Sequence, residues 1–166
     1  MGRKKMKYQL IAILLFLSHF SSAQSLVINE VQASNKLGIV DEDNDNVDWI
    51  EIYNAGTDVV SLLGLAISDD STQLLKWILP NRTLAPGEFI LVFASGKERK
   101  MGFYLHSNFT LNSGGETVYL SDPSKHVINK LKFPPLNDNV SYGRKLDGSA
   151  ATAYFQVPSP RSSNNG

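Results

Sequence analysis

The sequence predicts an all-β fold, a sandwich or barrel of short strands, and three observations carry that prediction. In Asp48 to Asn54, DWIEIYN, Trp49, Glu51 and Tyr53 alternate with Ile50, Ile52 and Asn54. A period of two with aromatic and β-branched residues on both faces fits a strand and not a helix. Short apolar runs then recur between turn-forming residues along the rest of the chain, the pattern of a sandwich or barrel. Finally, no amphipathic helical stretch of convincing length follows residue 23, and no repeat of fixed period is visible. Strands must therefore supply the core.

Taken in order, the runs are Leu26 to Val31, Trp49 to Tyr53, Leu65 to Ile67, Leu74 to Leu79, Phe89 to Phe93, Thr117 to Leu120, Val127 to Phe133, Val140 to Tyr142 and Tyr154 to Val157. Asn54-Ala55-Gly56, Asp69-Asp70-Ser71, Pro86-Gly87, Ser113-Gly114-Gly115, Asp122-Pro123 and Asp147-Gly148 separate them, all residues that favour turns. Strands of a sandwich bury alternate residues against the opposing sheet, so Ile50, Ile52 and Trp77 are expected between two sheets. The domain is expected over residues 24–157. PSPRSSNNG, from Pro158 to Gly166, has no apolar periodicity and reads as a linker-like tail.

Ahead of the domain, Arg3, Lys4, Lys5 and Lys7 precede an apolar run from Leu10 to Leu17 and then Ser21, Ser22 and Ala23. That is the layout of a secretory signal peptide over residues 1–23, with cleavage expected after Ala23. The run is too short for a membrane span of about 20 residues, so the membrane is expected to matter only during export. Beyond Ala23 there are 12 Lys and Arg against 16 Asp and Glu, a net charge of −4. This mildly acidic balance gives no electrostatic footprint for nucleic acid. The absence of Cys excludes thiol nucleophiles, thiolate zinc sites and thiol redox chemistry, and leaves stability to the core.

LVINEVQASN from Leu26, WIEIYN from Trp49, LLGLAISDD from Leu62, KWILP from Lys76, LAPGEFILVFASGK from Leu84, LHSNFTLNSGGETVYLSD from Leu105 and SYGR from Ser141 stand in an order that resembles the lamin tail domain in its bacterial secreted form. The resemblance runs from about Leu26 to Val157. It implies an immunoglobulin-like β-sandwich of short, mostly antiparallel strands, with Asn54 closing a turn and a Gly-Glu hairpin at Gly115-Glu116. In bacterial proteins of this kind the domain often lies beside an enzymatic or surface-attached module. The nuclear members end a coiled-coil filament protein and bind chromatin and membrane partners. This chain shows no heptad rod and no nuclear signal, so those partners do not carry over.

The sharpest local feature is DEDNDNVD, Asp41 to Asp48. Hard oxygen ligands at alternating positions, Asp41, Asp43 and Asp45, with a backbone carbonyl near Val47 and with Asp48 beyond it, are how a loop wraps calcium. Asn46 stands where a standard calcium loop has Gly, and Ile52 where its bidentate Glu belongs, so any site would be weak, about 10⁻⁴ to 10⁻³ M. The plainer reading is a solvated acidic loop before a strand. His106 and His126 read as surface or strand-end residues, KERK from Lys97 to Lys100 as a solvated loop tip, and Trp77 as core. Trp49, Trp77, Tyr53 and Phe93 would make a sugar-stacking platform only if Trp49 is exposed. Asn81, Asn108 and Asn139 each fit the glycosylation acceptor pattern, a chance match to be expected among turn residues.

No catalytic motif is present. The function expected is a secreted, non-catalytic interaction or adhesion module that presents loops or sheet edges to a protein or glycan partner, in the periplasm or at the cell surface. The alternatives are a calcium-dependent extracellular enzyme or accessory domain, with calcium the one candidate cofactor, and a carbohydrate-binding module.

Overall fold

A computed structural model of the chain describes residues 25–164, and the expected signal peptide lies outside them. The described strands are β1 Leu26–Gln32, β2 Trp49–Asn54, β3 Val60–Ser61, β4 Ala66–Ser68, β5 Trp77–Ile78, β6 Thr83–Leu84, β7 Phe89–Phe93, β8 Leu105–His106, β9 Glu116–Ser121, β10 Val127–Phe133, β11 Ser141–Arg144 and β12 Thr152–Phe155. They form a six-stranded sheet in the order β12-β11-β1-β2-β7-β8, a four-stranded sheet β10-β9-β4-β5 and a two-stranded β3-β6. Every described pair is antiparallel except β7 with β8. The protein is thus an all-β, immunoglobulin-like sandwich.

The alternation of β2 sets the layering. Ile50 and Ile52 join Leu26, Ile28, Val31, Ile90 and Val92 on the inner face of the larger sheet, and meet Ile67, Trp77, Val118, Leu120, Leu131 and Phe133 from the smaller one. The residues between them point the other way, yet they too are buried: Trp49 packs with Leu91 and Phe93 under Ile39, Val47 and Tyr104. Loops 35–48 and 94–104 therefore roof part of the outer face of the larger sheet. Trp49 is fully buried, with its indole N–H donated to Gln32 Oε1 at 2.7 Å. The sugar-stacking platform, which needed an exposed Trp49, is corrected by that burial.

A β-bulge prepares the outer face for polar groups. The register of β1 against β2 shifts between Ile28 and Glu30, so one extra residue lets Asn29 and Glu30 both turn outward while Val31 returns to the core. Gly143 lies opposite Glu30, and a Cβ there would come within 2.3 Å of the Asn29 carbonyl oxygen. Only glycine permits that approach. Asn54 closes its turn as expected: its amide donates to the Asp58 and Leu84 carbonyls at 2.8 and 2.9 Å and its oxygen accepts from Gly56 N at 3.0 Å.

Candidate functional site

Two polar assemblies occupy the outer face of the six-stranded sheet. The first is the acidic loop. Asp41 turns the chain back on itself: its Oδ1 accepts the amides of Asp43 and Asp45 at 2.9 and 3.0 Å, while Asn44 takes a positive φ of 63°, which Asn tolerates better than most residues. The carboxylates of Asp41, Asp43 and Asp45 are thereby brought within reach of a single cation. Lys97 supplies it. Its Nζ donates to Asp41, Asp43 and Asp45 at 2.5, 2.7 and 2.8 Å.

Asp48 stands apart from this cluster and accepts the Asn35 amide at 3.1 Å. Asn35 in turn donates to the Ile39 and Val47 carbonyls at 2.7 and 2.9 Å and pins the two stems of the loop. Burial alone would raise the pKa of Asp41, but the Lys97 ammonium and the two backbone N–H groups outweigh it and hold the group below its ordinary value. Partial burial likewise works against the charge on Lys97, and the three carboxylates overcome it and raise its pKa.

A second arm of the same lock runs through Arg99, Glu42 and His106. Arg99 Nη1 contacts Glu42 at 2.6 Å and Asp43 at 2.8 Å. Glu42 Oε2 lies 2.8 Å from His106 Nε2, and Ser95 Oγ lies 2.8 Å from His106 Nδ1. Despite some desolvation, Arg99 and His106 hold the Glu42 carboxylate down to about 2. Hydroxyl, imidazole and carboxylate in a line are the outline of a nucleophile triad, but each member is tied elsewhere. The imidazole is fully buried and stacked on Phe93 at 5.3 Å between centroids; Ser95 Oγ also accepts the Lys97 amide at 3.3 Å; Glu42 belongs to the ion pair with Arg99. His106 is a strand-end residue, the last of β8, and is buried there because β8 pairs beside Phe93. One sequence expectation is corrected here: Lys97 and Arg99 are counter-ions of the acidic loop, not a solvated tip. His126 remains on an exposed turn with Asp122.

The second assembly surrounds two carboxylates that face each other across β1 and β2, Glu30 and Glu51, both fully buried. Asn29 bridges from Glu51 Oε1 at 3.2 Å to Asp147 Oδ1 at 3.0 Å. Most of the remaining partners come from the tail. Ser159 Oγ donates to Glu30 Oε2 at 2.8 Å, Arg161 N to Glu51 Oε2 at 2.6 Å and Asn164 N to Asp147 Oδ1 at 2.9 Å. Ser141 and Ser163 hydroxyls add bonds to Glu30 and Asp147. Up to Asn164 the tail is thus folded onto the sheet, unlike the free linker its composition suggests, because its polar groups satisfy acceptors that would otherwise be buried alone.

Among the described residues no Lys or Arg side chain pairs with Glu30 or Glu51, and desolvation dominates both. It raises the pKa of Glu30 and pushes Glu51 up to about 8, with the nearby Glu30 and Asp147 charges adding to the effect. Burial therefore favours the neutral form of Glu51 to well above the usual carboxylate range. The Arg161 side chain leaves the clasp and lies over Phe103 and Tyr104, 4.4 and 5.5 Å from the ring centroids. With Arg82, Phe89 and Leu91 it lines a shallow groove of about 310 Å³.

A search of curated proteins found no match. The family model described as Lamin Tail Domain matches residues 19–134, which takes in β1 to β10, the acidic loop and all the cations that neutralise it. That match covers well over half of the chain, and it agrees with the sandwich described above. The chain belongs to the Lamin Tail Domain family.

Proposed function

We propose that the chain is a secreted, non-catalytic interaction module that offers a rigid loop surface to a protein partner outside the cytoplasm. One observation carries the reading. Leu37, Met101 and Phe103 are 86, 88 and 66% exposed, and they sit on the two loops that Lys97 and Arg99 tie together. Large apolar side chains held in water on immobilised loops suit recognition, since the entropy of ordering them is already spent before a partner arrives. The neighbouring groove, with Arg82, Phe89, Phe103 and Arg161, adds the aromatic and guanidinium groups that most often anchor interfaces. Burial of Trp49 favours a protein over a glycan. The export layout of residues 1–23 supports the location.

The second reading is a calcium-dependent accessory domain. Asp41, Asp43 and Asp45 converge as that reading requires, but an ion there must displace Lys97. The ammonium supplies the neutralising charge internally, which favours a metal-independent platform.

Fluorescently labelled domain applied to intact cells of the producing organism should bind saturably, with or without a chelator. Met101→Asp combined with Phe103→Asp should weaken that binding about tenfold or more, as loss of interface anchors does, and should leave the melting temperature unchanged. Binding that fails to saturate, or that the double variant retains in full, would sink the proposal.

A further inference from the structure

Among the described residues, three of the four edges of the two larger sheets are protected. Beside β8, at one end of the six-stranded sheet, Arg99 forms a bridge to His106. The edge of β10 carries Lys130 and Lys132, and the Arg144 guanidinium donates to the Lys130 carbonyl and to Asn129 Oδ1. β5 is two residues long, and Asn108 donates to the Lys76 carbonyl next to it. Charges, plugs and short lengths are the usual means of keeping an edge from pairing.

β12 has none of these. It ends the six-stranded sheet opposite β8, and from Gly148 to Pro160 the chain carries no charged residue. Lys145 N donates to the Ala151 carbonyl, and bonded pairs alternate along an antiparallel ladder. Thr152, Tyr154 and Gln156 therefore turn their backbone N–H and C=O groups away from β11. Leu146 on the turn before β12, Tyr154 within it and Val157 just after it are 56, 53 and 83% exposed.

We propose that β12 pairs antiparallel with β12 of a second copy, joining two six-stranded sheets into one across a two-fold axis. The choice of occupant follows from charge. An identical strand, uncharged from Gly148 to Pro160, brings no like charges to the junction. Antiparallel pairing of identical strands is also self-complementary and closes at two chains. This interface lies at the edge opposite β8 and is separate from the loop surface assigned above.

Sedimentation of the secreted chain should show a monomer–dimer equilibrium. Tyr154→Lys, which places like charges across the junction, should weaken it about tenfold or more with an unchanged melting temperature. Because the chain has no native Cys, single cysteines introduced at Thr152, Tyr154 or Gln156 report proximity directly. At least one of them should form a covalent dimer on mild oxidation, while Lys130→Cys on β10 should not. A monomer at about 0.5 mM, too weak for any specific dimer of this kind, would overturn the proposal. So would a dimer that Tyr154→Lys leaves intact, or cross-linking confined to Lys130→Cys.

Discussion

Trp77→Ala is expected to cost about 3 to 5 kcal/mol of stability, the range for large aromatic truncations in a packed core. Trp77 is 1% exposed and pairs with Ile67 on the inner layer of the four-stranded sheet, so its removal empties the space between the two sheets. Its indole N–H has no hydrogen-bond partner among the described residues. The loss is therefore one of packing, with no hydrogen bond to the ring nitrogen to subtract. Urea melts should show a lower midpoint at an unchanged slope. A loss below about 1 kcal/mol, the level of an ordinary surface change, would mean that Trp77 does not fill the inter-sheet space.

Glu51→Gln should stabilise the protein, and only at neutral to alkaline pH. The folded-state pKa of Glu51 is raised from 4.5 to about 8, so the unfolded chain releases this proton first as pH rises. The native state then loses stability between about pH 4.5 and 8, and linkage puts the loss on the order of 3 to 5 kcal/mol by pH 8. Glutamine is neutral throughout and removes that slope. The opposite sign holds for Asp41, Glu42 and Asp43, whose depressed pKa values confer stability above their unfolded values that is lost on acidification. The two assemblies thus respond to pH with opposite signs, the acidic loop losing stability on acidification and Glu51 losing it as pH rises. Melts of wild type and Glu51→Gln from pH 4 to 9 should nearly coincide at the acid end and diverge steadily above pH 5. Parallel curves would refute the buried, neutral Glu51.

The inner layer was legible in β2, where alternation survives in a longer strand and puts Ile50 and Ile52 inward; Trp77, in the two-residue β5, was placed by its large apolar ring. β3, β6 and β8 were not legible, since two residues are too few to display a period. Full burial of Trp49 and Glu51 was hidden for another reason. Alternation tells which residues share a face, and whether that second face is roofed depends on loops far away in the chain. Lys97 meets Asp41 across 56 residues, and only the parallel pairing of β7 with β8 brings the loop that carries it over β2. The tail was misjudged because Ser159, Arg161 and Asn164 bind through polar complementarity to Glu30, Glu51 and Asp147, which leaves no apolar signature.

A pair of calcium titrations read by melting temperature tests whether Lys97 neutralises the acidic loop from within. Up to several millimolar calcium should then leave the wild-type melt unchanged. Lys97→Met, which leaves the Asp41, Asp43 and Asp45 cluster without its cation, should melt lower without calcium. It should recover roughly 4 °C at ten times the dissociation constant, about 1.4 kcal/mol of linkage. An equal calcium-dependent rise in wild type, with no extra response in Lys97→Met, would contradict the claim and make the loop a metal site.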